Sequence, residues 1–165
     1  MIEGCELMPE MNIAPMSIDD VEEVLVVERM SFLTPWSRFA FQTELTRNQY
    51  ALYLVGKSQG HVVAYAGTWV VLDEAHITNV AVHPDYRGQG YGHQILLALL
   101  AQAKARGAAR ATLEVRVGNK VAQSLYLQYG FTFCGSRKGY YTDTGEDALI
   151  MWKEDLGDVL ENTVV

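Results

Sequence analysis

The middle of the chain alternates apolar and polar positions with the period of strands, and its flanks carry apolar residues at the spacing of helices. YALYLVG, from Tyr50, and HVVAYAGTWVV, from His61, are rich in β-branched and aromatic residues and are separated by KSQG. A short glycine-containing turn between two such runs predicts an antiparallel hairpin. AHITNVAV, ending at Val82, follows LDE as the third strand of a meander. Beyond it Ile95, Leu99 and Ala103 form a helical stripe with Leu96 and Leu100 beside it, and Gly107 stops this helix after Lys104 and Arg106. The strand ATLEVRV, a helix from Asn119 to Tyr129 ended by Gly130, and two closing strands complete the order.

Helical segments also precede the meander. In SIDD, Ser17 is placed to cap and Asp20 stands three residues on, followed by Ile18, Val21 and Leu25 at helical spacing. Glu28 falls where that stripe calls for an apolar residue. The favoured reading is a helix that rolls to expose it; the alternative is a buried carboxylate near a pocket. After the loop LTPWS a second helix is expected around Phe39 to Leu45. The whole order predicts an α+β fold, a mixed sheet flanked by helices. The helix before ATLEVRV must cross back so that this strand lies parallel to HITNVAV, normally with right-handed connection. A cleft is expected where the two strands part.

At 165 residues, 49% hydrophobic and 20% charged, the chain fits one domain, with a core over about residues 13–156 and frayed termini. The acidic tail after Leu156 is expected to be dispensable. Apolar runs such as ILLALLA, from Ile95 to Ala101, fall short of the roughly 20 residues of a membrane span. The acidic N-terminus lacks the pattern of a signal peptide, so a cytoplasmic protein is expected. Cys5 and Cys134 suggest neither a disulfide framework nor a paired-cysteine metal site. His61, His76, His83 and His93 lack metal-binding spacing and read as surface or turn residues, so no metal is expected. A net charge of -7 speaks against a nucleic-acid partner and leans toward basic peptides.

The segment VHPDYRGQGYG, from Val82 to Gly92, leads into the leucine-rich helix. A helix N-terminus presents unpaired amides and partial positive charge, and glycines let an anion approach that backbone closely. Arg87 adds a full charge. A Walker loop would end in Gly-Lys-Ser or Gly-Lys-Thr, and a dinucleotide fingerprint would follow the first strand of a parallel fold, so neither fits. A tight turn without a ligand is the structural alternative.

RGQGYG resembles the Arg/Gln-x-x-Gly-x-Gly/Ala loop of the GNAT superfamily of N-acetyltransferases. The segments NVAVHPDYRGQGYG, LEVRVGNKVAQSLYLQYGF and GYYTDTGEDALIM extend the likeness, in the family's order and spacing, from about Phe32 to Lys153. Within the superfamily the chain is similar to the RimI type, sharing PWS, VLDEA and YY; that type acetylates the N-terminal alanine of a small-subunit ribosomal protein. The resemblance implies the GNAT fold, a twisted mixed sheet whose splayed parallel strands form an acetyl-CoA cleft. It implies that Arg87, Gly88, Gln89, Gly90, Tyr91, Gly92 and His93 hold the pyrophosphate of acetyl-CoA. The backbone of Val80, Ala81 and Val82 would receive the oxyanion, and Asn119 would contact the CoA arm besides capping its helix. The family's serine before this asparagine is Gly118 here, while the Asn-to-Tyr spacing is intact.

An amine attacks a thioester only when neutral, so the site needs a base, a place for the oxyanion and an acid for the thiolate. The resemblance places the base at Glu114. Alternation sets Glu114 and Arg116 opposite Leu113, Val115 and Val117, where an ordinary surface charge would also stand. The acid is placed at Tyr126, a phenol of pKa about 10 facing a thiolate whose conjugate acid lies at about 8.5. Packing with Ala122 and Leu125 is its structural alternative, and Tyr129 reads as a core residue.

An α-amine, at about 8, is easier to deprotonate than lysine, at about 10.4, so one carboxylate acting through water suffices for it. By resemblance Phe32, Pro35, Trp36, Tyr140 and Tyr141 wall the peptide entry. Pro-Trp stands where methionine-accepting relatives often carry an acidic residue, which favours N-terminal Ala or Ser. The expected activity is acetyl-CoA-dependent N-terminal acetylation of a protein such as a ribosomal protein, by a monomer or weak dimer. A GNAT enzyme for lysine side chains or small amines, and a non-catalytic acyl-CoA-binding module, are the alternatives.

Overall fold

A computed structural model of the chain describes residues 10–159, so Cys5 and both extreme termini lie outside the described residues. The chain opens with a short edge strand, β1 (Asn12–Pro15), then α1 (Val21–Ser31) and α2 (Arg38–Arg47). Ahead of α1 the Asp20 carboxylate accepts from the Ser17 backbone N–H at 2.8 Å and from its hydroxyl at 3.2 Å, anchoring the helix entry. The meander follows as β2 (Ala51–Ser58), β3 (His61–Val71) and β4 (Glu74–Val82), all antiparallel. Gln59 and Gly60 turn its first hairpin with φ of 52° and 82°, the pair of left-handed residues that a tight hairpin turn requires.

Then come α3 (Tyr91–Ala105), β5 (Arg110–Arg116), α4 (Lys120–Gln128), β6 (Thr132–Tyr141) and β7 (Glu146–Lys153). The seven strands form one sheet in the order β1-β2-β3-β4-β5-β7-β6. Only β4 and β5 are parallel, joined through α3, and β7 lies between β5 and β6.

Alternation sorts the core onto two faces. Leu52 and Leu54 of β2 join the cluster beneath α3, while Tyr53 and Val55 join the cluster beneath α1 and α2. On α3 Ile95, Leu96, Leu99 and Leu100 are all buried. Each such side chain contributes about 1.5–3 kcal/mol by leaving water, which makes α3 the principal clamp on the sheet. No helix among the described residues is long and apolar enough to cross a membrane.

The packed chain continues past Leu156, where fraying was expected. Leu156 and Val159 are buried, and the Lys104 ammonium donates to the Val159 carbonyl at 2.8 Å. These contacts hold the segment against the end of α3 as far as Val159.

Candidate active site

β4 and β5 are bonded only from Glu74 with Arg110 to His76 with Thr112. Just beyond, Gly67 pairs with Asn79 and Thr68 with Ile77, so Thr78 is an extra residue in β4. A bulge of this kind bends a strand and shifts its facing. Ala75 and Ile77, before it, sit in the core beneath α3; after it Val80 and Val82 pack on that core and Ala81 enters the other. The strands therefore part, opening a cleft of about 630 Å³.

Glu114 and Tyr126 both line this cleft. Ala111, Leu113 and Val115 of β5 point into the core beneath α3, which sends Glu114 to the opposite face. There its side chain is 12% exposed, so it is no ordinary surface charge. The His76 ring nitrogen Nε2 lies 2.6 Å from Glu114 Oε2, and Arg137 Nε lies 3.5 Å from Oε1. The bond to His76, and Arg137 behind it, hold this carboxyl below the usual carboxylate range despite partial burial. Tyr126 approaches from α4 and packs on Phe131, with ring centroids 5.6 Å apart, as part of the core beneath α3. Burial pushes its phenol well above 10, so it remains protonated. Tyr129, read as a core residue, is only partly buried and places its hydroxyl 2.9 Å from His93 Nδ1.

Among the residues expected to hold acetyl-CoA, Val80 and Asn119 line the cleft, while Arg87 to Gly90 form a loop outside the lining and Tyr91 to His93 the first turn of α3. The Asn119 carboxamide oxygen caps α4 by accepting from the Ala122 N–H at 3.1 Å. Gly88 and Gly90 have φ of 79° and 85°, and a Cβ on either would meet nothing within 4 Å. Backbone conformation, with open space beside it, thus selects glycine there. The ladder of α3 starts with the Gln94 N–H donating to Gly90, so its leading amides turn toward this loop. The Arg87 guanidinium folds back onto the Val82 carbonyl at 2.9 Å and the Ser31 hydroxyl at 3.2 Å, bracing the loop. Tyr91 is buried and Gln89 and His93 are partly buried. These residues fit an anionic ligand by backbone and helix dipole. No group of three metal-ligating side chains comes together among the described residues.

The other end of the cleft is walled by Phe32, Trp36, Tyr140 and Tyr141. Pro35 is exposed and stands outside the lining, a departure from its expected place. Trp36 packs on Phe41 and Tyr53 at 5.3 and 6.4 Å between centroids. The Arg116 guanidinium stacks 4.0 Å over the Tyr141 ring and donates to the Asp143 carboxylate at 2.7 and 2.9 Å. Asp143 also accepts from the Thr34 hydroxyl at 2.9 Å, which ties the two walls together across the opening.

Glu28 corrects the favoured reading of the sequence. It is 1% exposed and lines the cleft, and burial is tolerated because both oxygens have donors. Oε1 accepts from the Trp36 N–H at 3.0 Å and Oε2 from the Tyr65 hydroxyl, which in turn accepts from Asn79. Burial raises this carboxyl above its ordinary 4.5, partly opposed by the Trp36 amide and Tyr65. Stability gained from a raised carboxyl is fully present below its unfolded value and is lost as pH climbs through its folded value. In Glu28→Gln, which does not titrate, that loss is absent. Thermal midpoints measured from about pH 4 to about pH 8 should therefore shift in the variant's favour as pH rises, then level off. A gap independent of pH would contradict a raised Glu28.

His76 and Asn79 were missed as site residues. His76 has the signature of any strand histidine until its partner Glu114 is known, and Asn79 faces Tyr65 instead of the core beneath α3 only because of the Thr78 bulge.

The sequence profile of the acetyltransferase (GNAT) family matches residues 19–131. The chain is 38% identical over 144 residues to the Escherichia coli [ribosomal protein bS18]-alanine N-acetyltransferase, covering 85% of this chain and 95% of that protein. It is 47% identical over 137 residues to a Bacillus subtilis protein provisionally named for the same activity, covering 83% and 91%. The crystal structure of the Escherichia coli ribosomal-protein-S18-alanine N-acetyltransferase superposes with a TM-score of 0.81 at 35% identity, covering 93% of this chain and 98% of that one. A Thermoplasma acidophilum PaiA N-acetyltransferase in complex with coenzyme A shares the fold, with a TM-score of 0.74 at 21% identity and coverage of 88% and 99%. Seven strands split between β4 and β5, a glycine loop opening α3 and a family profile over most of the length meet in one chain, which belongs to the GNAT family of acetyltransferases.

Proposed function

We propose that the protein transfers the acetyl group of acetyl-CoA to the N-terminal alanine of a ribosomal protein of the bS18 type, in the cytoplasm. The observation that carries this reading is a candidate base and a candidate acid, Glu114 and Tyr126, lining one cleft from opposite faces of the split sheet. The names of relatives aligned over four fifths or more of this chain support the substrate.

Acetyl-CoA supplies the thioester carbonyl and the thiolate leaving group. The loop from Arg87 to His93 would hold its pyrophosphate on backbone amides, and Asn119 would border its arm. The edge of β4 at Val80 to Val82, left without β5 as a partner, is suited to a developing oxyanion. Glu114 takes one proton from the α-ammonium before the neutral nitrogen attacks, and the second N–H proton is given up as the C–S bond breaks. The acetylated amine, the free thiol and one proton passed to solvent are the products. Tyr126 donates a hydrogen bond to the departing sulfur, and its protonated state makes that donor available throughout the working pH range.

Substrate choice follows from the walls. Trp36 is fixed by packing and by Glu28, Tyr141 is fixed beneath Arg116, and the Thr34–Asp143 bond limits how far the opening can spread. Walls anchored in this way give little room to accommodate a large first side chain by moving apart. In a series of peptides differing only in the first residue, Ala and Ser should be acetylated best. Methionine or leucine should lower kcat/KM by about tenfold or more. Equal turnover of Met-first and Ala-first peptides would overturn this account of the walls.

A further inference from the structure

We infer that Arg137 is a positioning residue that acts through Glu114, its guanidinium keeping the base from holding the acceptor as an ammonium ion; this rests on the acetyl-transfer reading of the cleft. Glu114 of β5, Ile150 of β7 and Gly135 of β6 stand in one row across the sheet and share a face. Arg137 is two residues farther along β6 on that face, the last regularly paired residue before the register slips toward Tyr141. Its side chain reaches back over β7 and places Nε 3.5 Å from Glu114 Oε1, with the Tyr140 ring 5.9 Å from the guanidinium carbon. Glu114 is 12% exposed and lines the cleft, whereas Arg137 is 55% exposed and stands outside the lining. The cation therefore borders the base and not the space for the acceptor. On the other sides Glu114 meets the His76 ring of β4 at 2.6 Å and the apolar Ile150, with the Tyr141 phenol nearby. Arg116, farther along β5, is engaged by Asp143 and Glu146, and Glu28 and Tyr126 border the cleft from α1 and α4. Among the described residues Arg137 has no ion pair besides Glu114, and its charge is permanent.

A lone carboxylate is a trap for an amine. An opposite charge within about 4–6 Å favours the charged form, so Glu114 alone would hold the acceptor as an ammonium ion, which does not attack a thioester. A permanent cation against the other side of the carboxylate opposes this. Its charge lowers the affinity of the bound amine and Glu114, taken together, for the proton they share. That proton has to reach solvent before the nitrogen attacks, and Arg137 lets it leave at lower pH.

The test uses the full chain loaded with acetyl-CoA and a saturating peptide beginning in free alanine, comparing wild type with Arg137→Gln and Arg137→Lys. Single-turnover rates are read from about pH 6 to about pH 9, a range that spans the ordinary α-amine value. Equilibrium binding of acetyl-CoA checks that each variant is folded. In Arg137→Gln the pH of half-maximal rate should rise by about half a unit to one unit, the size left to an exposed cation after solvent screening. Its rate at about pH 7 should then fall about threefold to tenfold and return to within about twofold of wild type near pH 9. KM for the peptide should not rise, because the ammonium form is still held, and Arg137→Lys, which keeps the charge, should follow the wild type. A loss of the same size at every pH, or a half-maximal pH that does not move, would reduce Arg137 to a support for the sheet edge and overturn the inference. Failure of the wild type to acetylate any free α-amine would instead bring down the acetyl-transfer reading, and this inference with it.

Discussion

Glu114→Gln should lower kcat by about a hundredfold to ten-thousandfold while acetyl-CoA still binds, because the variant loses the proton acceptor and keeps the shape of the side chain. Glutamine retains a carbonyl oxygen that can accept from His76 Nε2, so the 2.6 Å contact across the strand split is preserved and the fold is not at stake. The segment from Arg87 to His93, proposed to hold acetyl-CoA, leads into and opens α3, away from β5, and should bind acetyl-CoA as before. In the wild type Glu114 lies below the usual carboxylate range, so it is already ionised at neutral pH. The rise of kcat/KM with pH should then follow the substrate, as an α-ammonium of ordinary pKa about 7.7–8.0 gives up its proton. Steady-state kinetics beside equilibrium binding of acetyl-CoA would check both statements. Unchanged kcat in Glu114→Gln would remove Glu114 from the chemistry.

Tyr126→Phe is expected to cost about a hundredfold in kcat with little change in stability. Phenylalanine keeps the ring against Phe131 and keeps the core beneath α3 filled. What disappears is one O–H at the cleft, the donor proposed for the departing thiolate. Because the phenol is pushed well above 10, the wild type should show no loss of activity from its ionisation below about pH 9. A thioester with a better leaving group should narrow the gap between variant and wild type, since a more stable thiolate needs less help. A gap of the same size with every leaving group would assign Tyr126 to packing alone.

Much of the frame was legible because its determinants are local. Alternation and the KSQG turn give β2, β3 and β4, the Leu and Ala stripes give α3, and Asn119 and Gly130 bracket α4. β1 escaped notice because four residues ending in proline at a sheet edge carry no alternation to read. The insertion of β7 between β5 and β6 is a long-range choice with no mark in either strand. The same limit applies to the site. The glycine loop stands in a recognisable local setting, whereas Glu114 is singled out by the family resemblance of its strand and not by alternation. Glu28 reads as exposed in the sequence because its donors, the Trp36 amide and Tyr65, come from a loop and a strand that only the fold brings to it. His76 read as a surface residue for the same reason, and the bonds from the Arg87 side chain to Val82 and Ser31 likewise join segments that only the fold brings together.

The central claim is that this cleft acetylates a free α-amine. Its most direct test is acetyl-CoA turnover on a short peptide beginning in free alanine, set beside the same peptide blocked at its N-terminus and carrying one lysine. Turnover of the free-alanine peptide with none of the blocked one is the predicted result. Turnover of the blocked lysine peptide alone would leave the GNAT fold in place and contradict the assignment of the substrate.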